Sequence, residues 1–463
     1  MPKFKIVLSD FHLGAGRREE GNALEDFTSD REFAALVDQV IAESNGSGAD
    51  VELIFDGDMF EMFQLPSVDL FDPTATYTSK ECYSSAEPDS ERKVALAIAG
   101  HPLFFDALRR FIQHSPPRRT VTFIKGNHDI LVFWPAVHDL IRQTLGATAR
   151  RAPLVEFAER SISREGIYVE HGNEYSLFLD RVPNMEEPID PNRPDSLTWP
   201  PGAKFVMDVF NEWERKRYWL DGVKPMTSLI WYALAYDRRF ALWAIPKLLR
   251  ALPSLVFGVA PGGEDPRVEL AKELETADQE AWSAQYEADP DFRAQFNADL
   301  ARALAPPPEE RLIADQFALA PGADPVVMGD RVRGQVHTSL YAAAERCAVE
   351  SGAKVVLFGH THEPGAEALP SGATYINTGT WTWSGDFSKA GARTWQDLFK
   401  NPDRYAGDRT LSYARIDYDQ AGQPAGHCDV FEPQVVVPPK LKPVERSAWQ
   451  RLCDWFQGLW RGS

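Results

Sequence analysis

Cysteine is scarce in this chain: Cys82, Cys347, Cys428 and Cys453 are scattered through 463 residues without a CxxC pair. That excludes a disulfide-stapled framework and the thiolate clusters of structural zinc sites, and makes reduced thiols in a cytoplasmic setting the expectation. Long apolar runs are missing too. The most hydrophobic stretch, 231–258, is interrupted by Asp237, Arg238, Arg239, Lys247 and Arg250, so an uninterrupted bilayer span is not expected. The first eight residues enter a strand-like run with no apolar leader and small-residue cleavage site, which argues against secretion. Positive charge is in deficit, with 49 Lys and Arg against 68 Asp and Glu and a formal net charge of -19. A protein that tracks a nucleic-acid backbone needs clustered basic residues, so nucleic acid is not an expected partner and a nuclease is disfavoured. Internal repeats and low-complexity tracts are also lacking.

What is present is a composition of 44% hydrophobic and 25% charged residues, the usage of a chain that packs a core. Short apolar runs ending in polar clusters recur at 4–8, 51–55, 121–124, 167–169, 355–358 and 375–376, and read as buried strands. Between the first three, Phe33, Leu36, Val37, Val40 and Ile41 repeat at helical spacing, as do Leu103, Phe104, Leu108, Phe111 and Ile112. Strands alternating with helices imply an α/β fold. A further helix is expected over 328–350, with Val332, Val336, Leu340, Ala343 and Cys347 on one face, and a further strand over 411–416.

The rhythm lapses between 176 and 325, a span far longer than ordinary connections. It is Pro-rich at first, then aromatic and helical, then acidic and Ala-rich. The expected organisation is a catalytic domain over 1–175 and 333–435, a mainly helical cap insertion over 176–332, and an amphipathic tail over 436–463. In the tail Trp449, Leu452, Phe456, Leu459 and Trp460 fall near one helical face. The insertion reads as a cap packed on the catalytic domain, with lipid or peripheral membrane contact as the sharper alternative. No segment speaks to an oligomeric state.

Chemistry-bearing residues gather where the strands end, which is where α/β sheets bind ligands. Ser9-Asp10-Phe11-His12-Leu13-Gly14 follows the first strand with a carboxylate and an imidazole that could share an ion. Phe55-Asp56-Gly57-Asp58-Met59-Phe60-Glu61 closes the second, where Asp58 could bridge two cations. Lys125-Gly126-Asn127-His128-Asp129 closes the third with an amide oxygen, an imidazole and a carboxylate that could orient it. Glu170-His171-Gly172-Asn173 closes the fourth, Phe358-Gly359-His360-Thr361-His362-Glu363 the fifth, and Asn377-Thr378-Gly379-Thr380-Trp381 the sixth. Any one of these is an ordinary turn taken alone. Five of the ten histidines at strand ends is a pattern that dispersed structural histidines do not make. His101, His114, His138, His337 and His427 stand outside such clusters and read as surface or core residues.

These blocks, in this order, resemble the five signature motifs of the calcineurin-like metallophosphoesterase superfamily over about 3–173 and 333–386. The resemblance implies a β-sandwich flanked by helices and a dinuclear metal centre. One divalent ion would be held by Asp10, His12, Asp58 and His362, and a second by Asp58, Asn127, His171 and His360. His128 would protonate the leaving oxygen or stabilise the phosphoryl charge, with Glu61 as its acidic partner. Two adjacent cations lower the pKa of a bound water and clamp the attacking and leaving oxygens of an in-line displacement. The mixed donor set suits Mn best, with Fe or Zn as alternatives, over Ca or an all-oxygen Mg site. In motif style 9–13 and 57–61 look most similar to the UDP-2,3-diacylglucosamine pyrophosphohydrolases, although His128 stands where many of those carry Arg. The implied activity is metal-dependent hydrolysis of a phosphoester or pyrophosphate bond in a small, nucleotide- or lipid-linked substrate. The competing reading from another class is a catalytically silent scaffold of the same fold that binds a membrane or a protein partner.

Overall fold

Two mixed β-sheets lie face to face in the computed structural model, which describes residues 2–113, 116–175, 178–224, 229–257, 266–304, 338–387, 390–407 and 409–433. The strands are β1 (Lys3–Leu8), β2 (Asp50–Asp56), β3 (Arg119–Ile124), β4 (Val155–Ala158), β5 (Ser161–Arg164), β6 (Ile167–Glu170), β7 (Ile189–Asp190), β8 (Arg193–Leu197), β9 (Val223–Lys224), β10 (Val355–Phe358), β11 (Gly365–Ala368), β12 (Thr374–Asn377), β13 (Gly385–Asp386), β14 (Ser412–Tyr418) and β15 (Pro424–Val430). The first sheet runs β15-β14-β1-β2-β3-β4 and the second β11-β12-β10-β6-β5. β1 to β4 are mutually parallel, as are β6, β10 and β12, and the remaining strands of both sheets pair antiparallel at the margins.

The register explains the apolar runs. Val7 pairs with Ile54 on the inner face of one sheet, and Leu357 pairs with Val169 and Ile376 on the inner face of the other. These side chains meet in one buried layer with Ile124, Ala414 and Ile416. On the outer face of the first sheet Ile6, Leu8, Leu53, Phe55, Val121 and Phe123 pack against helices Asp30–Ser47 and Pro102–Gln113. Strands buried on both faces read as continuous hydrophobic runs rather than alternations. The outer face of the second sheet is covered by helix Thr338–Ser351 through Leu340, Ala343, Ala344 and Cys347. The protein is thus a mixed α/β fold with its sheets flanked by helices.

Helix Asp30–Ser47 buries Phe33, Leu36, Val37 and Val40 as their spacing predicts, and ends at Gly48, whose φ of 68° is the left-handed stop that glycine supplies cheaply. Helix Pro102–Gln113 departs from expectation at one position. Leu103, expected on the buried face, is 48% exposed, and Phe105 is buried in its stead. Phe104 stacks on Phe33 at 3.9 Å and so sets the helix rotation; residues one step apart lie about 100° around the axis, which turns Leu103 outward.

Helices Asn211–Lys216, Leu229–Tyr236, Arg238–Phe257, Pro266–Thr276, Gln279–Ala288 and Pro290–Leu304 build a second apolar core around Trp219, Trp231, Tyr232, Ile245 and Leu249. Four residues from beyond β12 complete it: Trp383, Phe387, Trp395 and Leu398, with Tyr232 stacked on Trp395 at 3.8 Å. Residues 1–431 form one compact unit, and the second unit, 432–463, has only Glu432 and Pro433 described. The expected tail helix and the 328–337 part of the expected helix over 328–350 therefore lie outside the described residues. No helix among the described residues is long and apolar enough to cross a membrane.

Candidate metal centre

Loops leaving β1, β2 and β3 in one sheet, and β6, β10 and β12 in the other, are laced together by backbone hydrogen bonds. Asp10 N donates to Gly57 O at 3.2 Å, His12 N to Asp58 O at 3.0 Å, Gly359 N to His171 O at 3.0 Å and Trp381 N to Asp10 O at 3.2 Å. The Thr380 hydroxyl also donates to Asp10 O at 2.7 Å. These loops hold five non-glycine residues in the left-handed region: Asp10 (φ 53°), His12 (47°), Asp58 (49°), His360 (69°) and His362 (61°). Each costs on the order of 1–2 kcal/mol, against about 1.5–3 kcal/mol contributed by each fully buried aliphatic of the sandwich core. Strain concentrated in this way marks a constellation whose geometry matters more than local comfort.

The side chains converge in three groups, each of which could hold a cation: Asp10, His12 and His362; Asp58, His171 and His360; and His12, Glu61 and His128, which shares His12 with the first. In the first, His362 Nε2 lies 3.2 Å from both Asp10 Oδ1 and His12 Nε2, with His12 Nε2 3.7 Å from Asp10 Oδ1. In the second, His171 Nε2 lies 3.0 Å from Asp58 Oδ2. Donors about 2.1 Å from an ion stand about 3.0–3.4 Å from one another, which is close to these separations.

Tautomers follow from the partners. His171 Nδ1 faces the Asp56 carbonyl at 2.8 Å, which can only accept, so Nδ1 donates and Nε2 is the nitrogen turned toward Asp58, open to a cation that displaces its proton. His12 Nδ1 faces Glu61 Oε2 at 2.9 Å and likewise leaves Nε2 for the first group. Asp10 Oδ1, Asn127 Oδ1 and His171 Nε2 are buried without a hydrogen-bond partner in the protein. Buried lone pairs without donors are costly, and a divalent cation is the group that satisfies several at once. The donor set therefore fits a metal.

Charge reinforces this fit. Burial opposes a proton on His171, but Asp58 and Asp10 outweigh it and carry the imidazole up to about 10. Burial likewise works against His12, yet Asp10 and Glu61 hold it well above its usual value. Only 3.2 Å away, His362 is pushed down to about 4 by burial and by the nearby charge of Lys224. The two rings face each other too closely for both to be protonated. Asp58, though buried, is held low by His171 and His128, and Glu61 falls to about 2 beside His128 and His12. The pocket attracts positive charge.

Of the residues singled out from sequence, the structure brings Asp10, His12, Asp58, Glu61, His128, His171, His360 and His362 into these groups, and buries Asn127 on the β3 loop beside them. Asp129, read as a carboxylate that could orient His128, does something else. It accepts from Met59 N at 2.8 Å and Gly126 N at 2.6 Å, tying the β2 loop to the β3 loop, and Glu61 Oε2 holds His128 Nδ1 at 2.6 Å. His101 and His427 also have carboxylate partners that were not expected. His101 lies between Asp30 (3.2 Å) and Glu25 (3.4 Å) because a helix start and a distant loop meet there, and His427 pairs with Asp429 at 3.0 Å across one strand position. His138 stacks on Phe157 as a core residue would, and His114 and His337 lie outside the described residues. Sequence reasoning missed Asp180, whose Oδ2 lies 3.5 Å from His360 Nε2, and Asp56, both of whose carboxylate oxygens are buried without a partner. Asp180 has no signal in its spacing, whereas Asp56 sits inside a quoted motif.

No family model matches the chain, and no curated protein matches it. Among solved structures, a dimetal phosphatase from Danio rerio aligns over 93% of this chain and 100% of its own, at 9% identity and a TM-score of 0.28. An overlap that loose carries no weight for chemistry, so the site stands on the chain's own geometry.

Proposed function

We propose that this protein is a metal-dependent hydrolase of phosphoester or pyrophosphate bonds, of the calcineurin-like metallophosphoesterase kind, acting in the cytoplasm. The observation that carries the reading is the gathering of buried candidate ligand atoms without a hydrogen-bond partner, Asp10 Oδ1, Asn127 Oδ1 and His171 Nε2, at the ends of strands from both sheets. Asp10, His12 and His362 would hold one divalent ion and Asn127, His171 and His360 another, with Asp58 between them. Mn suits this mixture of carboxylate, amide and imidazole best, with Fe or Zn as alternatives. Bound there, the ions would supply Lewis acidity to the phosphoryl oxygens and a water acidic enough to ionise near neutral pH.

The chain's own residues account for the rest. Glu61 orients His12 and His128 through one oxygen, so a change in either ring is felt by the other. The His128 side chain is 24% exposed, against 1–11% for the other four imidazoles, and is therefore the ring that a substrate can reach. Burial disfavours its proton, but Glu61 and Asp58 keep its affinity above the usual value, as a donor to a leaving oxygen requires. The finer reading, a nucleotide- or lipid-linked diphosphate with peripheral membrane contact, is supported by the motif style of 9–13 and 57–61 and by the aromatic helices of the insertion.

The test is turnover. Mn-loaded protein should hydrolyse p-nitrophenyl phosphate or bis(p-nitrophenyl) phosphate, and Asp58→Ala should lower the rate by about a thousandfold or more. Undiminished turnover in that variant would refute the assignment.

A further inference from the structure

The insertion opens by folding back on the second ligand group. Asn173, buried two positions after His171, donates from Nδ2 to the Asp180 carbonyl at 3.0 Å and to Glu174 Oε1 at 3.0 Å. Val182 N donates to the same Glu174 oxygen at 2.9 Å. Both flanks of Asp180 are therefore tied to the loop that carries His171. From the other side His360 N donates to Asp10 Oδ2 at 3.0 Å, which anchors the β10 loop. Between these anchors Asp180 Oδ2 lies 3.5 Å from His360 Nε2, with the ring 11% and the carboxylate 30% exposed.

A metal-binding imidazole shows one nitrogen to the ion and gives the proton on the other to an acceptor, which fixes its tautomer and raises its basicity. His171 Nδ1 has the Asp56 carbonyl at 2.8 Å for this purpose, and His12 Nδ1 has Glu61 at 2.9 Å. For His360 the carboxylate of Asp180 occupies that place. Asp180 belongs to none of the three groups that could hold a cation, so it backs the ring rather than sharing the ion. Charge points the same way. The first ligand set has Asp10 and, behind His12, Glu61, whereas Asn127, His171 and His360 are neutral donors that leave Asp58 as the only carboxylate of the second. A carboxylate behind His360 offsets part of the charge of a divalent ion there.

We propose that Asp180 is a positioning residue for the second ion: its carboxylate accepts a hydrogen bond from His360 Nε2 and so turns Nδ1 to the metal. The proposal rests on the hydrolase reading and adds to its metal centre a residue contributed by the insertion. Charge-assisted N–H···O contacts settle at about 2.7–2.9 Å, so the 3.5 Å pair closes when an ion on the ring makes the opposite N–H a stronger donor. No proton is transferred and no bond is made.

The experiment is titration of full-length, metal-free protein with Mn, in the wild type, Asp180→Ala, Asp180→Asn, His360→Ala and the Asp180→Ala, His360→Ala double variant. Asp180→Ala should weaken one of the two ions about tenfold to a hundredfold and leave the other within about twofold. Asp180→Asn, whose amide oxygen can still accept from Nε2, should recover part of the loss. Added to His360→Ala, Asp180→Ala should weaken Mn by less than about a further twofold, because the ring it acts through is gone. Unchanged Mn affinity in Asp180→Ala, equal weakening of both ions, or a full further loss on the His360→Ala background would overturn the proposal. If the wild type binds two ions and turns over neither p-nitrophenyl ester, the hydrolase reading fails, and the Mn titration still decides the role of Asp180.

Discussion

Glu61 Oε2 and His128 Nδ1 lie 2.6 Å apart, and the same oxygen accepts from His12 Nδ1 at 2.9 Å. One carboxylate thus orients a candidate proton donor and a candidate metal ligand. In Glu61→Gln the amide carbonyl can still accept, but the negative charge that raises the His128 proton affinity is gone. A general acid must be protonated to work, so the loss of activity on the alkaline side should begin at lower pH in the variant. The maximal rate should also fall about a hundredfold. A pH-rate profile superimposable on that of the wild type would remove Glu61 from this role.

Gly57 has a φ of 81°, and a β-carbon there would overlap the His171 ring. Gly146 has a similar φ of 70° but open space around it. Both alanine variants incur about 1 kcal/mol or more of backbone strain. Only Gly57→Ala should also displace His171 and lower the Mn bound per chain. Equal Mn content in the two variants would show that the close approach is not what keeps His171 in place.

His101 is buried between Glu25 and Asp30; burial opposes its proton, but the two carboxylates carry it up to about 10. An unfolded histidine titrates at about 6.5. The folded state therefore binds the proton more tightly, and the resulting stability is fully present below about pH 6.5 and is lost as pH rises toward 10. The melting-temperature gap between wild type and His101→Gln should be wide at pH 6 and should narrow by pH 9.5. A gap independent of pH would mean that the His101 charge does not contribute.

The loops that carry the candidate ligands were legible because each follows a run of largely buried apolar residues, and because Asp, His and Asn cluster there in types that core packing does not call for. The marginal strands were not. β11 is Gly365-Ala366-Glu367-Ala368, entirely exposed, and owes its place to backbone pairing with β12. β15 begins with Pro424 and is nowhere buried, so its alternation is faint, and a proline at the first position of an edge strand is easily taken for a loop. Asp129 was misassigned because sequence adjacency favoured His128, whereas the loop closes on Met59, seventy positions earlier.

The most direct test of the proposed dinuclear centre is equilibrium titration of metal-free protein with Mn. The wild type should bind two ions per chain, and Asp58→Ala, lacking the carboxylate proposed to bridge the two ions, should bind fewer and more weakly. Two ions bound with unchanged affinity in Asp58→Ala, or none in the wild type, would contradict the account.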